Sequence, residues 1–174
     1  MNKYGNSSRY ETIYNSIELP YDTSYSLSSK TIISAGHHLP IKNFEVIADV
    51  GRIVFSRHRN WRWEIYGERR SEAYEKLLLK ISRYGLENNI ILKPRSNDMP
   101  GIYKKSAIYV LTSLMEGLPM VLLEAKAYRL PIVSFDIETG PDEIVDDGVN
   151  GYLIEPYNVE EMANRICELI EKPE

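Results

Sequence analysis

This sequence predicts an α/β fold: a parallel sheet of about six strands covered by helices on both faces. Three observations lead there. From Lys30 onward, strand-like runs alternate with stretches of helical period. Residues 107–111 (AIYVL) and 132–135 (IVSF) are continuous apolar runs, as expected of strands buried on both faces. The connections are short, which suits parallel strands joined by helical crossovers.

The elements follow in order. Residues 31–35 (TIISA) read as a strand ending at Gly36, and Phe44, Ile47, Val50 and Val54 then recur at helical spacing. Residues 61–66 alternate and stop at Gly67. Residues 71–84 are helical, with Leu77, Leu78 and Ile81 on the inner face and Gly85 as the stop. Residues 90–92 form a short strand, 102–106 a short helix and 107–111 a buried strand. A helix over 119–128 places Pro119 at its first position, where the missing N–H has no intrahelical partner to lose. Residues 132–135 and 151–154 are strands, separated by turns at Asp147–Gly148 and Asn150–Gly151, and a helix over 159–170 closes the chain.

Residues 1–29 differ in character: they are rich in Ser, Asn and Tyr and lack helical period, with only residues 12–19 readable as extended. A linker or a strand of a neighbouring domain fits them, and so does a disordered tail. The expected division is therefore a connector over 1–29 and one domain over 30–174.

Composition narrows the function classes. With 43% hydrophobic and 26% charged residues, the 174-residue chain has the balance of a globular domain. A net charge of −4 weighs against a general nucleic-acid surface, which needs positive charge to meet phosphates. The one cysteine, Cys167, has apolar neighbours, excludes an internal disulfide and fits a reducing, cytoplasmic compartment. No apolar run is long enough to span a bilayer. No Asp-x-Asp pair or zinc-spaced His/Cys cluster suggests a metal, Asp136-x-Glu138 being the nearest approach, so metal independence is expected.

The chemistry concentrates in residues 112–125 (TSLMEGLPMVLLEA). Glu116 sits in the loop after a buried strand, Gly117 and Leu118 precede a helix start, and Glu124 lies one to two turns inside. Free amides and a positive dipole end at a helix start make a pyrophosphate cradle. The two glutamates are eight positions apart, roughly 12 Å along an ideal helix axis. That scale suits two carboxylates flanking a diphosphate, one accepting from hydroxyls of a sugar and the other from a ribose. An acidic residue favoured by the dipole, with Glu124 as a solvated helix residue, explains the same spacing.

Residues 116–125 (EGLPMVLLEA), 130–136 (LPIVSFD), 139–145 (TGPDEIV) and 147–156 (DGVNGYLIEP) together resemble the retaining glycosyltransferases of group 1, which have the GT-B fold. The resemblance runs from about Lys30 to Ile170 and is closest in wording to bacterial galactosyl and N-acetylhexosaminyl transferases. It implies a Rossmann-like C-terminal, donor-binding domain. The family's two glutamates separated by seven residues stand here as Glu116 and Glu124. The loop 34–47 (SAGHHLPIKNFEVI) resembles the one that supplies a lysine to the donor diphosphate, and Lys42 stands at that position. A fixed cation there stabilises charge that grows on the leaving diphosphate. A solvated lysine at a helix start is the plainer alternative, although the dipole mildly disfavours it.

Two positions depart from the family pattern. His37 stands where an arginine is usual; an imidazole is only partly charged near neutral pH and cannot form a bidentate fork on a phosphate. Phosphate contact and a backbone-bonded structural role both fit it. Arg129 stands where a helix-ending glycine is frequent, which implies a different cap. Gly36 and Gly67 allow close approach of a ligand or simply turn the chain. Arg95 could meet a nucleobase or lie on the surface, and Ser113 could bond a phosphate or the backbone.

The implied function is the donor half of a transferase that moves a hexose or N-acetylhexosamine from a nucleotide sugar, UDP-linked by the wording, to a glycan or lipid-linked acceptor in surface polysaccharide synthesis. The expected catalytic residues are Glu116 and Lys42. Those expected to bind the donor are Glu124, Gly117, Leu118, Gly36, His37 and Arg95. The acceptor would be held by an N-terminal domain outside these residues, so the isolated chain should bind donor weakly and transfer nothing. No cofactor, nucleic acid or transmembrane segment is expected, and the full-length protein would be cytoplasmic or peripheral at the inner membrane face. A non-catalytic nucleotide-binding module and a sugar-nucleotide epimerase of related fold are the rival readings.

Overall fold

The computed structural model describes residues 15–21, 23, 28–68 and 71–172. Residues 15–21 and 23 form neither helix nor strand. The remainder of the expected connector, including the start of the extended stretch over 12–19, lies outside the described residues.

Six strands form one parallel sheet in the order β3-β2-β1-β4-β5-β6. They are β1 (Thr31–Ala35), β2 (Arg62–Gly67), β3 (Ile90–Pro94), β4 (Ile108–Leu111), β5 (Ile132–Phe135) and β6 (Gly151–Ile154). The helices are α1 (Val46–Arg57), α2 (Glu72–Tyr84), α3 (Met99–Lys104), α4 (Met120–Ala127) and α5 (Val159–Glu171).

Alternation along each strand sorts the core into two layers. Ile32, Ile108, Val110, Val133 and Phe135 join α1, α2 and α5 in one apolar cluster. Ile33, Tyr109, Leu111 and Ile132 join α3 and α4 in the other. Successive side chains of a strand point to opposite faces, so an apolar run with no polar face is what a covered sheet requires. Polar groups that enter the sheet are paired. Trp63 Nε1 donates to Ser34 Oγ at 3.1 Å, and Ser34 Oγ donates to the Val110 carbonyl at 2.6 Å, linking β2, β1 and β4. Cys167 is buried in the first layer, as its neighbours suggested.

Caps set the helix ends. Ser71 Oγ accepts from Tyr74 N, and Gly85 closes α2 in the left-handed region at φ 64°. The short helix expected over 102–106 begins earlier, at Met99. The Asp98 carboxylate accepts from Gly101 N and so starts the turn, and Pro100 sits in the first turn where its missing N–H is not needed. Pro119 also differs from expectation. It is extended (φ −74°, ψ 95°) and caps α4 from outside, its carbonyl accepting from Leu122 N at 2.9 Å.

Arg129, the residue that departs from the family's glycine, adopts φ 60° after α4, while Leu130 N donates back to the Ala125 carbonyl. The glycine geometry is kept and a side chain bears its cost. An L-residue in this region pays about 1 kcal/mol or more. Arg129→Gly should therefore raise stability by up to about 1 kcal/mol, read as a shifted urea midpoint at constant slope.

The strand order reverses between β1 and β4, which pair directly through Ile32–Ile108 and Ile33–Tyr109. At such a switch the loops leaving neighbouring strands turn in opposite directions and open a crevice at the carboxyl ends. The loops after β1 and β4 carry Gly36, His37, Lys42, Glu116, Gly117 and Leu118.

Candidate functional site

The loop after β1 bends into a 3-10 turn, Pro40–Lys42, followed by Asn43 at φ 50°. This turn is tied to the loop after β4. Leu114 N donates to the Ile41 carbonyl at 2.8 Å, and Thr112 Oγ1 donates to the Lys42 carbonyl at 2.9 Å. The backbone beneath Lys42 is thereby fixed, and its ammonium meets Glu116: Nζ to Oε1 is 2.6 Å. Both side chains are largely sheltered, at 21% and 12% exposure. A charge-assisted bond this sheltered is screened much less than a surface pair.

The loop after β5 closes the other side. Thr139 Oγ1 donates to the Glu116 carbonyl at 2.6 Å. Gly140 has φ 101°, and a Cβ there would collide with the Gly117 carbonyl oxygen and stand 2.6 Å from Pro119 Cδ. Gly117 itself faces open space. Among the described residues, no hydrogen bond takes up the amides of Gly117, Leu118, Met120 or Val121. The start of α4 thus offers free donors beside the Lys42–Glu116 pair.

Glu124 is held differently. The buried phenol of Tyr103 donates to Glu124 Oε2 at 2.7 Å. Tyr109 on β4 is buried, and its hydroxyl accepts from the Ala35 amide at 3.2 Å. Burial raises its pKa, the hydrogen bond with the Ala35 backbone opposes that rise, and the charges of Glu124 and Glu116 add to it.

Gly36, His37 and Arg95 come together in a second part of the crevice, a pocket of about 230 Å³ that also has Tyr66 and Met99 in its wall. Arg95 is exposed. His37 is exposed too, with Nε2 3.9 Å from Glu68 Oε1, so the backbone-bonded structural reading does not hold for it. Gly36 has ordinary room for a Cβ, whereas Gly67 does not: a Cβ there would strike the Gly36 carbonyl oxygen and stand 2.8 Å from His38 Cδ2. Ser113 is buried, and its hydroxyl has no partner among the described residues, so it does not serve the backbone. Asp147 keeps its turn role, accepting from Leu153 N at 2.9 Å. Among the described residues, no group of three or more His, Cys, Asp or Glu side chains could hold a metal ion.

Sequence reasoning missed His38, Tyr103 and Tyr109. Only the polar residue in an apolar setting signals them, and burial is invisible in one dimension. The His38 ring is edge-on to Phe44 (5.0 Å) and Tyr74 (5.1 Å), and burial lowers its pKa. Its carbonyl accepts from Ser71 Oγ at 2.6 Å, joining the β1 loop to α2. Because the folded state disfavours the imidazolium, the unfolded chain binds more protons below the ordinary value of 6.5. His38 should therefore leave stability untouched above that pH and reduce it as pH falls toward the lowered value. His38→Phe should flatten this slope in urea titrations between pH 7 and pH 5.

Comparison with known proteins agrees with this geometry. The family model for glycosyl transferases group 1 matches residues 22–174. The chain belongs to this family. The glycosyltransferase domain is 36% identical over 156 residues to an uncharacterized glycosyltransferase of Haemophilus influenzae, covering 90% of the chain and 44% of the relative. It is 28% identical over 159 residues to a poly(ribitol-phosphate) alpha-N-acetylglucosaminyltransferase of Staphylococcus aureus, covering 91% and 32%. The solved structure of S. aureus TarM with Fondaparinux, alpha-GlcNAc-glycerol and UDP superposes with a TM-score of 0.87 at 26% identity, over 97% of the chain and 34% of TarM. The chain thus spans less than half the length of these relatives. Its Rossmann-like sheet is that of a GT-B C-terminal domain. Among the described residues no helix is long and apolar enough to cross a membrane.

Proposed function

We propose that this glycosyltransferase domain binds a UDP-sugar and, in the full-length enzyme, supports retaining transfer of a hexose or N-acetylhexosamine to a polymeric or lipid-linked glycan acceptor. The observation that carries the reading is the Lys42–Glu116 pair, 2.6 Å apart beside the free amides of Gly117 and Leu118. A cation, a row of N–H donors and a helix dipole converge where a diphosphate would gain charge.

The roles follow from that placement. Lys42 and the α4 amides neutralise the diphosphate as its bond to the anomeric carbon breaks. Glu116 accepts from hydroxyls of the transferred sugar and Glu124 from ribose hydroxyls. The 230 Å³ pocket of Gly36, His37 and Arg95 takes the nucleoside side. On the retained face, the acceptor oxygen bonds to the anomeric carbon and its proton passes to the departing diphosphate oxygen. The positive charge comes from protein groups, so the reaction proceeds without a metal. The chain spans less than half the length of its relatives, and in this reading the acceptor is held by a part of the enzyme outside these residues. The S. aureus relative named for N-acetylglucosamine transfer to poly(ribitol-phosphate), and the UDP in TarM, support the donor and acceptor classes.

Calorimetry against a panel of nucleotide sugars tests this reading. UDP-sugars should bind best, and Lys42→Ala and Glu124→Ala should each weaken them. Unchanged affinity in both variants would overturn the site.

A further inference from the structure

We propose that Tyr103 is a positioning residue for the nucleotide: its phenol pre-sets the Glu124 carboxylate for the ribose, and α3 thereby couples recognition of base and ribose. The inference rests on the reading of Glu124 as the ribose contact.

The Tyr103 ring is locked independently of its hydroxyl. It is 1% exposed, stacked on Tyr128 at 5.4 Å and 17°, and tilted against Tyr109 at 6.1 Å. The hydroxyl position is therefore given by packing, and the carboxylate conforms to the phenol. Burial, before any neighbouring charge, raises the phenol pKa, so the group stays a donor at every physiological pH. With one oxygen bonded at 2.7 Å, Glu124 keeps lone pairs for further donors but has already lost rotamer freedom. A free glutamate would lose that freedom only on binding, at the expense of affinity.

The second half of the argument is the helix that carries Tyr103. Met99 opens α3 and lines the pocket with Arg95 and Ser96, and Tyr103 follows four residues later. Positions i and i+4 share one helix face. One rigid turn, capped by Asp98, thus presents Met99 to the pocket and Tyr103 to Glu124. A shift of α3 would displace both contacts together.

The test is calorimetry of the chain with UDP and with 2′,3′-dideoxy-UDP. Wild type should prefer UDP. Tyr103→Phe, which keeps the ring and its packing, should reduce that preference about fivefold while leaving the dideoxy affinity unchanged. Glu124→Ala should reduce it at least as much, and the double variant should lose no more than Glu124→Ala alone. If Glu124→Ala loses the preference and Tyr103→Phe keeps it, the positioning role is wrong and the ribose reading stands. Equal weakening of both ligands by Tyr103→Phe would mark a merely structural tyrosine and overturn the proposal. A preference untouched by Glu124→Ala would remove the ribose reading itself.

Discussion

Substituting alanine for Lys42 should cost the chain both stability and its hold on a nucleotide diphosphate. The ammonium and the Glu116 carboxylate are 2.6 Å apart and mostly out of water. Removing one partner leaves the other sheltered and unpaired, a larger penalty than the pair's net worth. Because a fifth of the lysine remains solvated, the expected loss is about 1–3 kcal/mol rather than the full cost of a deeply buried pair. UDP affinity should fall by about tenfold to a hundredfold, the worth of a hydrogen bond to a charged group.

The two losses separate in a second variant. Lys42→Met combined with Glu116→Gln removes both charges and keeps the shape, so most of the stability should return while binding stays weak. Urea denaturation and calorimetry on the same preparations measure both. A double variant that also regained UDP affinity would show that Lys42 serves the fold and not a diphosphate.

Gly140→Val is expected to be the most damaging single change near the site. Two costs add at this position. The backbone has φ 101°, which a β-branched residue adopts only under strain, and a Cβ would strike the Gly117 carbonyl and crowd Pro119. The partner atoms are backbone and a rigid ring, so relief requires moving the loop that carries Glu116. We expect a loss of about 3 kcal/mol or more, with UDP affinity falling alongside.

Gly117→Ala provides the contrast, since its Cβ would meet nothing within 4 Å and its φ is not in the left-handed region. It should change stability by no more than about 0.5 kcal/mol. Equal urea midpoints for the two variants would mean that the loops after β4 and β5 do not pack as described.

The sheet was legible because its evidence is local. Apolar runs such as residues 132–135 and a helical period with a glycine stop at Gly85 depend on a few neighbouring residues, and all six strands fall where those signals lie. The errors occur where a cap overrides a pattern. Asp98 starts α3 before its apolar period begins, and Pro119 serves as a cap in place of a first helical residue. Arg129 shows the reverse: the sequence signalled an altered cap, yet the backbone keeps the positive φ because Leu130 must bond back to Ala125.

By itself, the sequence determined which chemical groups the site offers. Glu116, Glu124 and Lys42 were picked out by the family resemblance of residues 116–125 and of the loop 34–47, because spacing alone is explained equally by an acidic residue that the helix dipole favours. Which groups meet was decided only by tertiary structure. Lys42 and Glu116 are 74 residues apart and touch because β1 lies beside β4 at the point where strand order reverses. Tyr103 reaches Glu124 across 21 residues because α3 and α4 cover the same face of the sheet. The same folding separates His37 from His38, adjacent in the chain, into an exposed imidazole at a pocket rim and a buried one against aromatic rings. Residue type is a one-dimensional fact, whereas burial and pairing depend on contacts between distant segments that form only when the sheet closes.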